Sequence, residues 1–282
     1  MNSVSFGKQT IVYFKKIARI AVREKVWIFL AFALIISLIV SLVVSGDMFE
    51  DYESTKSGFF TLASACIWIG IFNSIQSICK EHDIIRSDYR QGMKLSSYVC
   101  AHVLWQAVLC LAQTAIIFIV CCSFGFFGEA DSKGVFFPAY AEYFITIFML
   151  TFGSAVMGLM VSSFSGTPTT AMKIMPFVLI LQLIMSGVLF ELSGFAENCA
   201  YITYSKWGMS AFGSTADLNS LDHSLINELP ELADQLKDQF EAESCFNHDS
   251  ATLLTSWLWC FCITVVSSAV SIFSLKIKNR DS

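Results

Sequence analysis

Long apolar runs alternate with shorter polar ones along this chain. Six runs stand out: Val26–Ser45, Gly58–Cys79, Tyr98–Phe127, Pro138–Phe164, Ala171–Leu192 and Ala251–Leu275. A helix needs ~20 residues to cross ~30 Å of hydrocarbon, and each run is about that long or longer. Backbone groups in lipid must pair within their own segment, so the runs predict six transmembrane helices. The period-two alternation of a membrane barrel is absent. The third and fourth runs exceed the required length, which predicts tilt or extension beyond the bilayer.

The polar stretches carry as much information. Residues 1–25 place Ile11, Phe14, Ile17, Ala18 and Ala21 on one helical face, and Lys15, Lys16, Arg19 and Arg23 on the other. That pattern predicts an interfacial amphipathic helix, the alternative being a charged flank that only sets topology. Residues 80–97 insert about four helical turns of mixed charge where a few loop residues would suffice. Residues 193–250 form the other long connection. Its first part holds Phe195, Tyr201, Ile202, Tyr204 and Trp207, which predicts short re-entrant helices; Leu221 to Glu243 reads as an exposed acidic helix.

Composition agrees with a single all-α membrane domain over 1–282. The chain has 282 residues, 55% hydrophobic and only 15% charged, with 26 Phe. A soluble domain of this length is far less apolar. In a six-span topology, 14 of the 18 Lys and Arg fall on one side, including Lys8, Lys25, Lys80, Arg86, Arg90, Lys94, Lys173 and Arg280. The positive-inside rule makes that side cytoplasmic. The expected product is a multi-pass cell-membrane protein with both termini and the 80–97 segment in the cytoplasm. The loop from Glu191 to Ser250 holds 11 acidic residues against two Lys. No cleavable signal peptide is expected, because the first apolar run is too long for one.

Catalytic chemistry is scarce. There is no His-Glu-x-x-His motif, no metal-ligand spacing, no phosphate loop and no basic patch suited to nucleic acid. Eight of ten Cys lie in the spans; Cys199 and Cys245 flank the outer loop and are either a disulfide or two free thiols. No ionisable group sits mid-span, which argues against a proton- or sodium-driven carrier.

Against that background, the spacing Glu81-(x6)-Asp88-(x3)-Gly92-(x3)-Ser96-Ser97-Tyr98 resembles the intracellular coupling region of G-subfamily ABC transporters, the White and breast-cancer-resistance type. Met175-Pro176 and Ser186-Gly187-Val188-Leu189-Phe190 are similar to that family's fifth span, and Trp207 to Phe212 to its re-entry helices. Gln106-Ala107 stand where the family has Leu-Pro. The resemblance implies a permease of the type 2 exporter fold that moves a hydrophobic or amphipathic substrate outward. It implies a separate cytoplasmic ATPase holding ATP and Mg, and a second permease copy or paralogue. By the same resemblance, 80–97 is a coupling helix acting through Glu81, Arg86, Asp88, Tyr89 and Gly92. The carboxylates would meet basic residues of the connecting helix, such as Arg19 or Arg23. Cys66, Ile69, Asn73 and Leu183 would face a cargo cavity between protomers, and Val188 and Leu189 would plug its outer exit. A non-transporting membrane protein that holds a cytoplasmic partner through 80–97, and an ATP-independent channel or carrier, are the competing readings.

Overall fold

The computed structural model describes residues 5–128, 134–190, 192–221 and 243–280. The acidic helix expected between Leu221 and Glu243 therefore lies outside the described residues, as does Glu191. Among the described residues every regular element is helical. In chain order these are α1 (Phe6–Arg23), α2 (Trp27–Val44), α3 (Tyr52–Ser74), α4 (His82–Arg90) and α5 (Leu95–Ser123). They continue as α6 (Ala139–Phe164), α7 (Pro168–Ile184), α8 (Phe195–Ala200), α9 (Tyr204–Ala216) and α10 (Ser250–Arg280).

Five helices are long and apolar enough to cross a membrane: α2, α3, α5, α6 and α10. The sixth expected span is shorter than its apolar run. Helix α7 has 17 residues, about 26 Å of helix at 1.5 Å each. It begins where Thr167 caps Thr170 and Pro168 takes the first turn. It stops at Ile184 because the chain turns through Ser186 and Gly187, whose φ is +78°. Hydropathy alone carried that span on to Leu192. The second span errs the other way. Helix α3 starts at Tyr52, six residues before Gly58, because Asp51 accepts from Ser54 N at 2.7 Å and caps a polar first turn.

Helices α3 and α6 form the centre of the bundle. A side chain at Gly70 would collide with Ser154 Oγ and the Thr151 carbonyl, so glycine is what lets the two backbones meet. One turn on, Ser74 Oγ donates to the Ala155 carbonyl at 2.5 Å. Helix α10 closes on α6 through Trp257 Nε1 to Thr146 Oγ1 at 3.0 Å, and through Lys278 Nζ to the Phe164 carbonyl at 2.7 Å. Helix α9 is buried against α3, α6 and α10. The Gln182 side chain of α7 accepts from Tyr204 N and Ser205 N at 3.0 and 3.2 Å, capping α9 from another element. Phe59 stacks on Phe212 and Tyr143 at 5.3 and 5.6 Å, sealing the α9 end of the bundle. Helix α1 lies across the opposite end, beside α4 and the start of α5.

Candidate coupling junction

At the α4 end, the chain leaves α3 through a turn held by α6. Ser162 Oγ accepts from both Ile78 N and Cys79 N at 3.1 Å. Those two N–H groups would otherwise be buried without partners. The turn delivers the chain into α4, a nine-residue helix with one buried residue, Ile85. Ile85 packs with Ile78, Met93, Leu95, Tyr98, Val99, Leu159 and Leu275, a small core separate from the main one.

Helix α4 ends at a glycine for a geometric reason. Gly92 has φ +97°, a left-handed conformation that costs other residues about 1 kcal/mol or more. Gly92 N donates to the Tyr89 carbonyl and Met93 N to the Asp88 carbonyl, both at 3.0 Å. This is the Schellman pattern, and buried Met93 supplies its apolar contact. The chain then enters α5, whose first turn is capped by α1: Lys94 N donates to Gln9 Oε1 at 3.0 Å, and Ser97 Oγ to the Phe6 carbonyl at 3.3 Å.

The two carboxylates of the sequence motif both point inward, to α1 and α5. Glu81 Oε2 accepts from Tyr98 OH at 2.9 Å and lies 3.6 Å from Lys16 Nζ. Asp88 Oδ2 accepts from Tyr13 OH at 3.2 Å. Tyr13 and Tyr98 meet edge to face at 5.7 Å, so two carboxylates and two phenols form one cluster. Burial first, then the Asp88 carboxylate beside it, pushes the Tyr13 hydroxyl up to about 12. Tyr13 thus remains a donor throughout the physiological range. The basic partner is Lys16 rather than Arg19 or Arg23. Those two arginines line a surface groove on α1 with Val12, Lys15, Lys16 and Ile20. Packing of Tyr13 on Tyr98 and of Phe14 on Trp105, at 6.1 Å, fixes the rotation of α1 and brings Lys16 over Glu81.

The outward face of α4 carries Asp83, Ile84, Ser87 and Arg90, all exposed, with Ile84 48% exposed at its centre. Sequence reasoning did not single out Asp83, Ile84 or Ser87. The signal was the Ile84-Ile85 pair: adjacent helical residues sit 100° apart, so one apolar residue buries and the next does not. Arg86 and Tyr89 are half-buried at the edges of this face.

The residues expected to face a cavity between protomers differ in their exposure within this chain. Cys66 and Ile69 are 0% and 4% exposed inside the bundle. The Asn73 amide pairs reciprocally with Gln113, at 2.6 and 3.1 Å. The outward stripe of α3 instead runs through Trp68 and Phe72, and that of α7 through Phe177, Ile180, Leu181 and Ile184. Leu183 is half-buried. The pairing of Asn73 with Gln113, forty positions away, is invisible in a helical wheel.

At the opposite end, Val188 and Leu189 border a cleft with Tyr52, Lys56, Trp207, Glu243 and Phe246. Glu243 accepts from Lys56 Nζ at 2.5 Å and Tyr52 OH at 2.6 Å. Burial alone would raise the Glu243 carboxyl, but those donors hold it below its ordinary value. Cys199 and Cys245 are free thiols in this structure, so the disulfide alternative is not formed. Burial pushes the Cys245 thiol up to about 11, and the thiol donates to Glu243 Oε2 at 3.6 Å. No cluster of metal-ligating side chains occurs among the described residues.

Comparison with known proteins completes the picture. An ABC transporter ATP-binding/permease protein of Mycobacterium tuberculosis is 24% identical over 157 residues, which cover 55% of this chain but only 18% of that protein. The ABC-2 type transporter family matches residues 9–215, from α1 through the coupling junction to the end of α9. The match spans well over half of the chain, and a multi-pass helical membrane protein of the ABC-2 type transporter family is what this chain is.

Proposed function

We propose that the chain is the permease of an ATP-driven exporter, carrying a hydrophobic or amphipathic substrate outward. An ATPase drives it from the cytoplasm, and a second permease, identical or similar, completes the pathway. Both termini and α4 lie on the cytoplasmic side. One observation carries the reading. Helix α4 is anchored on one face by Ile85 and the Glu81–Tyr98 and Asp88–Tyr13 bonds, yet presents Asp83, Ile84 and Ser87 to solvent. A short helix held to the spans on one face and exposed on the other is suited to passing a push inward. The family membership supports the same reading, since the M. tuberculosis relative is named for both ATP binding and permease function.

In this mechanism the ATPase closes on nucleotide and displaces α4. The Glu81, Asp88, Tyr13 and Tyr98 cluster passes the displacement to α1 and α5 as one body. Protomer rotation then opens the seal at Val188 and Leu189. The lipid-facing aromatic stripes of α3 and α7 take the place of the cavity residues first expected, and Trp68, Phe72, Phe177 and Leu181 would meet cargo or partner.

The test is copurification. The tagged chain should bring down an ATPase from native membranes, and Ile84→Asp should reduce recovery at least fivefold with unchanged thermal stability. Full recovery with Ile84→Asp would remove α4 as the docking point. Recovery of a partner without ATPase activity would favour the holding role over transport.

A further inference from the structure

Helix α1 holds the junction with one face and leaves another open. Thr10 and Ile17 are buried on the inner face, and Tyr13, Phe14 and Lys16 reach Tyr98, Trp105 and Glu81. The outer face carries Ile11, Val12, Lys15, Arg19, Val22 and Arg23, all exposed. A groove runs along it between two rows at i, i+4 spacing: Lys15, Arg19 and Arg23 form one, and Val12, Lys16 and Ile20 the other. Such rows are the ridges against which a neighbouring helix ordinarily packs. Here every residue lining the groove belongs to α1.

The charge along the groove is of one sign. Helix α1 contains no acidic residue. Among the described residues Lys15, Arg19 and Arg23 form no ion pair. Like charges at i, i+4 repel, so three in one row favour a bound anion. Two guanidinium forks match the oxygens of a phosphate. The groove also lies beside a span: only Glu24, Lys25 and Val26 separate Arg23 from α2, whose first residue, Trp27, is 60% exposed. Tryptophan at the end of a span sits at headgroup level. A nucleic acid or a free phosphate would satisfy the cations but leave Val12 and Val22, 65% and 68% exposed, against water. A phospholipid satisfies both, its phosphate on the cations and its chains beside the apolar residues.

We propose that the α1 groove binds an anionic phospholipid, its phosphate on Arg19 between Lys15 and Arg23 and its apolar part against Val12 and Ile20. The site rests on the membrane character of the chain and not on the exporter reading, so either can fail without the other. It bears on coupling through position. Lys16 lines the groove and lies 3.6 Å from Glu81, which sets the lipid phosphate beside the junction.

The experiment uses the full chain in phosphatidylcholine nanodiscs doped with phosphatidylglycerol that carries a diazirine high in one acyl chain. Labelling should saturate, should concentrate on the peptides of α1 and the start of α2, and should be displaced by unlabelled phosphatidylglycerol. A phosphatidylcholine probe with the same diazirine should label these peptides at least fivefold less. Each cation near an anionic lipid surface changes binding about fivefold. Combined Lys15→Gln, Arg19→Gln and Arg23→Gln should therefore reduce labelling at least tenfold. Should that variant not fold, Arg19→Gln alone should reduce it at least threefold. Combined Lys173→Gln and Lys276→Gln, which remove exposed cations elsewhere at the α4 end, should leave it unchanged. Equal labelling by the phosphatidylcholine probe would overturn the proposal, as would full labelling of the α1 variants. Equal loss in the Lys173 and Lys276 variant would reduce the groove to a general positive field and overturn it too. Displacement by glycerol phosphate or by a single-stranded oligonucleotide would replace the lipid with a soluble anion.

Discussion

Within the junction, two interactions hold Glu81, and their geometry ranks them. The Lys16 pair spans 3.6 Å between partly exposed groups, and such pairs contribute at most about 1 kcal/mol. The Tyr98 bond is 2.9 Å from a fully buried residue to a charged acceptor, worth about 1.5–3 kcal/mol. Tyr98→Phe is therefore expected to destabilise the chain more than Lys16→Met, by about 1 kcal/mol or more in thermal unfolding in detergent. Equal losses would mean that the ion pair carries the junction. Gly92→Ala should cost about 1 kcal/mol through its positive φ alone, with its side chain in open space. At this scale the motif was legible, because Glu81, Asp88, Gly92 and Tyr98 are close in sequence and their spacing is local. Lys16 was not, because it reaches Glu81 across 65 residues of chain through the packing of Tyr13 and Phe14.

Among the elements, the apolar runs coincide with α2, α5, α6 and α10 to within five residues at each end and depart further from the start of α3 and the end of α7. Both departures arise where local chemistry overrides hydropathy: an Asp51 cap extends α3 into polar sequence, and the turn at Gly187 cuts α7 inside apolar sequence. Cavity-facing positions were least legible, since burial of Cys66 and Ile69 depends on how closely Gly70 lets α6 approach. Gly70→Val should separate α3 from α6 and cost about 3 kcal/mol or more, read as loss of monodisperse protein on gel filtration. Ser162→Ala leaves two backbone N–H groups unpaired and should cost about 1–3 kcal/mol, while loosening the turn into α4. At the other end, Glu243 ties the start of α3 to the segment before α10. Its folded carboxyl is held below the unfolded value of 4.5, so the tie is present above pH 4.5 and is lost as pH falls through the lower folded value. Proteolysis near residue 243 should rise in that acid window and not in Glu243→Gln, which lacks the titrating group.

For the whole molecule, the bundle has two differently built ends. One is sealed by stacked aromatics and the Gln182-capped α9; the other carries α1 and α4 as a rigid cap with a solvent-facing strip. Ile84 is the centre of that strip, and we propose that an ATPase presses there. A photoreactive amino acid placed at position 84 tests this most directly, compared with one at position 11 on the exposed side of α1. In native membranes, the chain labelled at position 84 should cross-link to a protein with ATPase activity, with a yield that changes when nucleotide is added. The chain labelled at position 11 should give lipid adducts instead. Cross-linking at 84 only to lipid, or to the same partners as position 11, would contradict the claim that α4 receives the driving force.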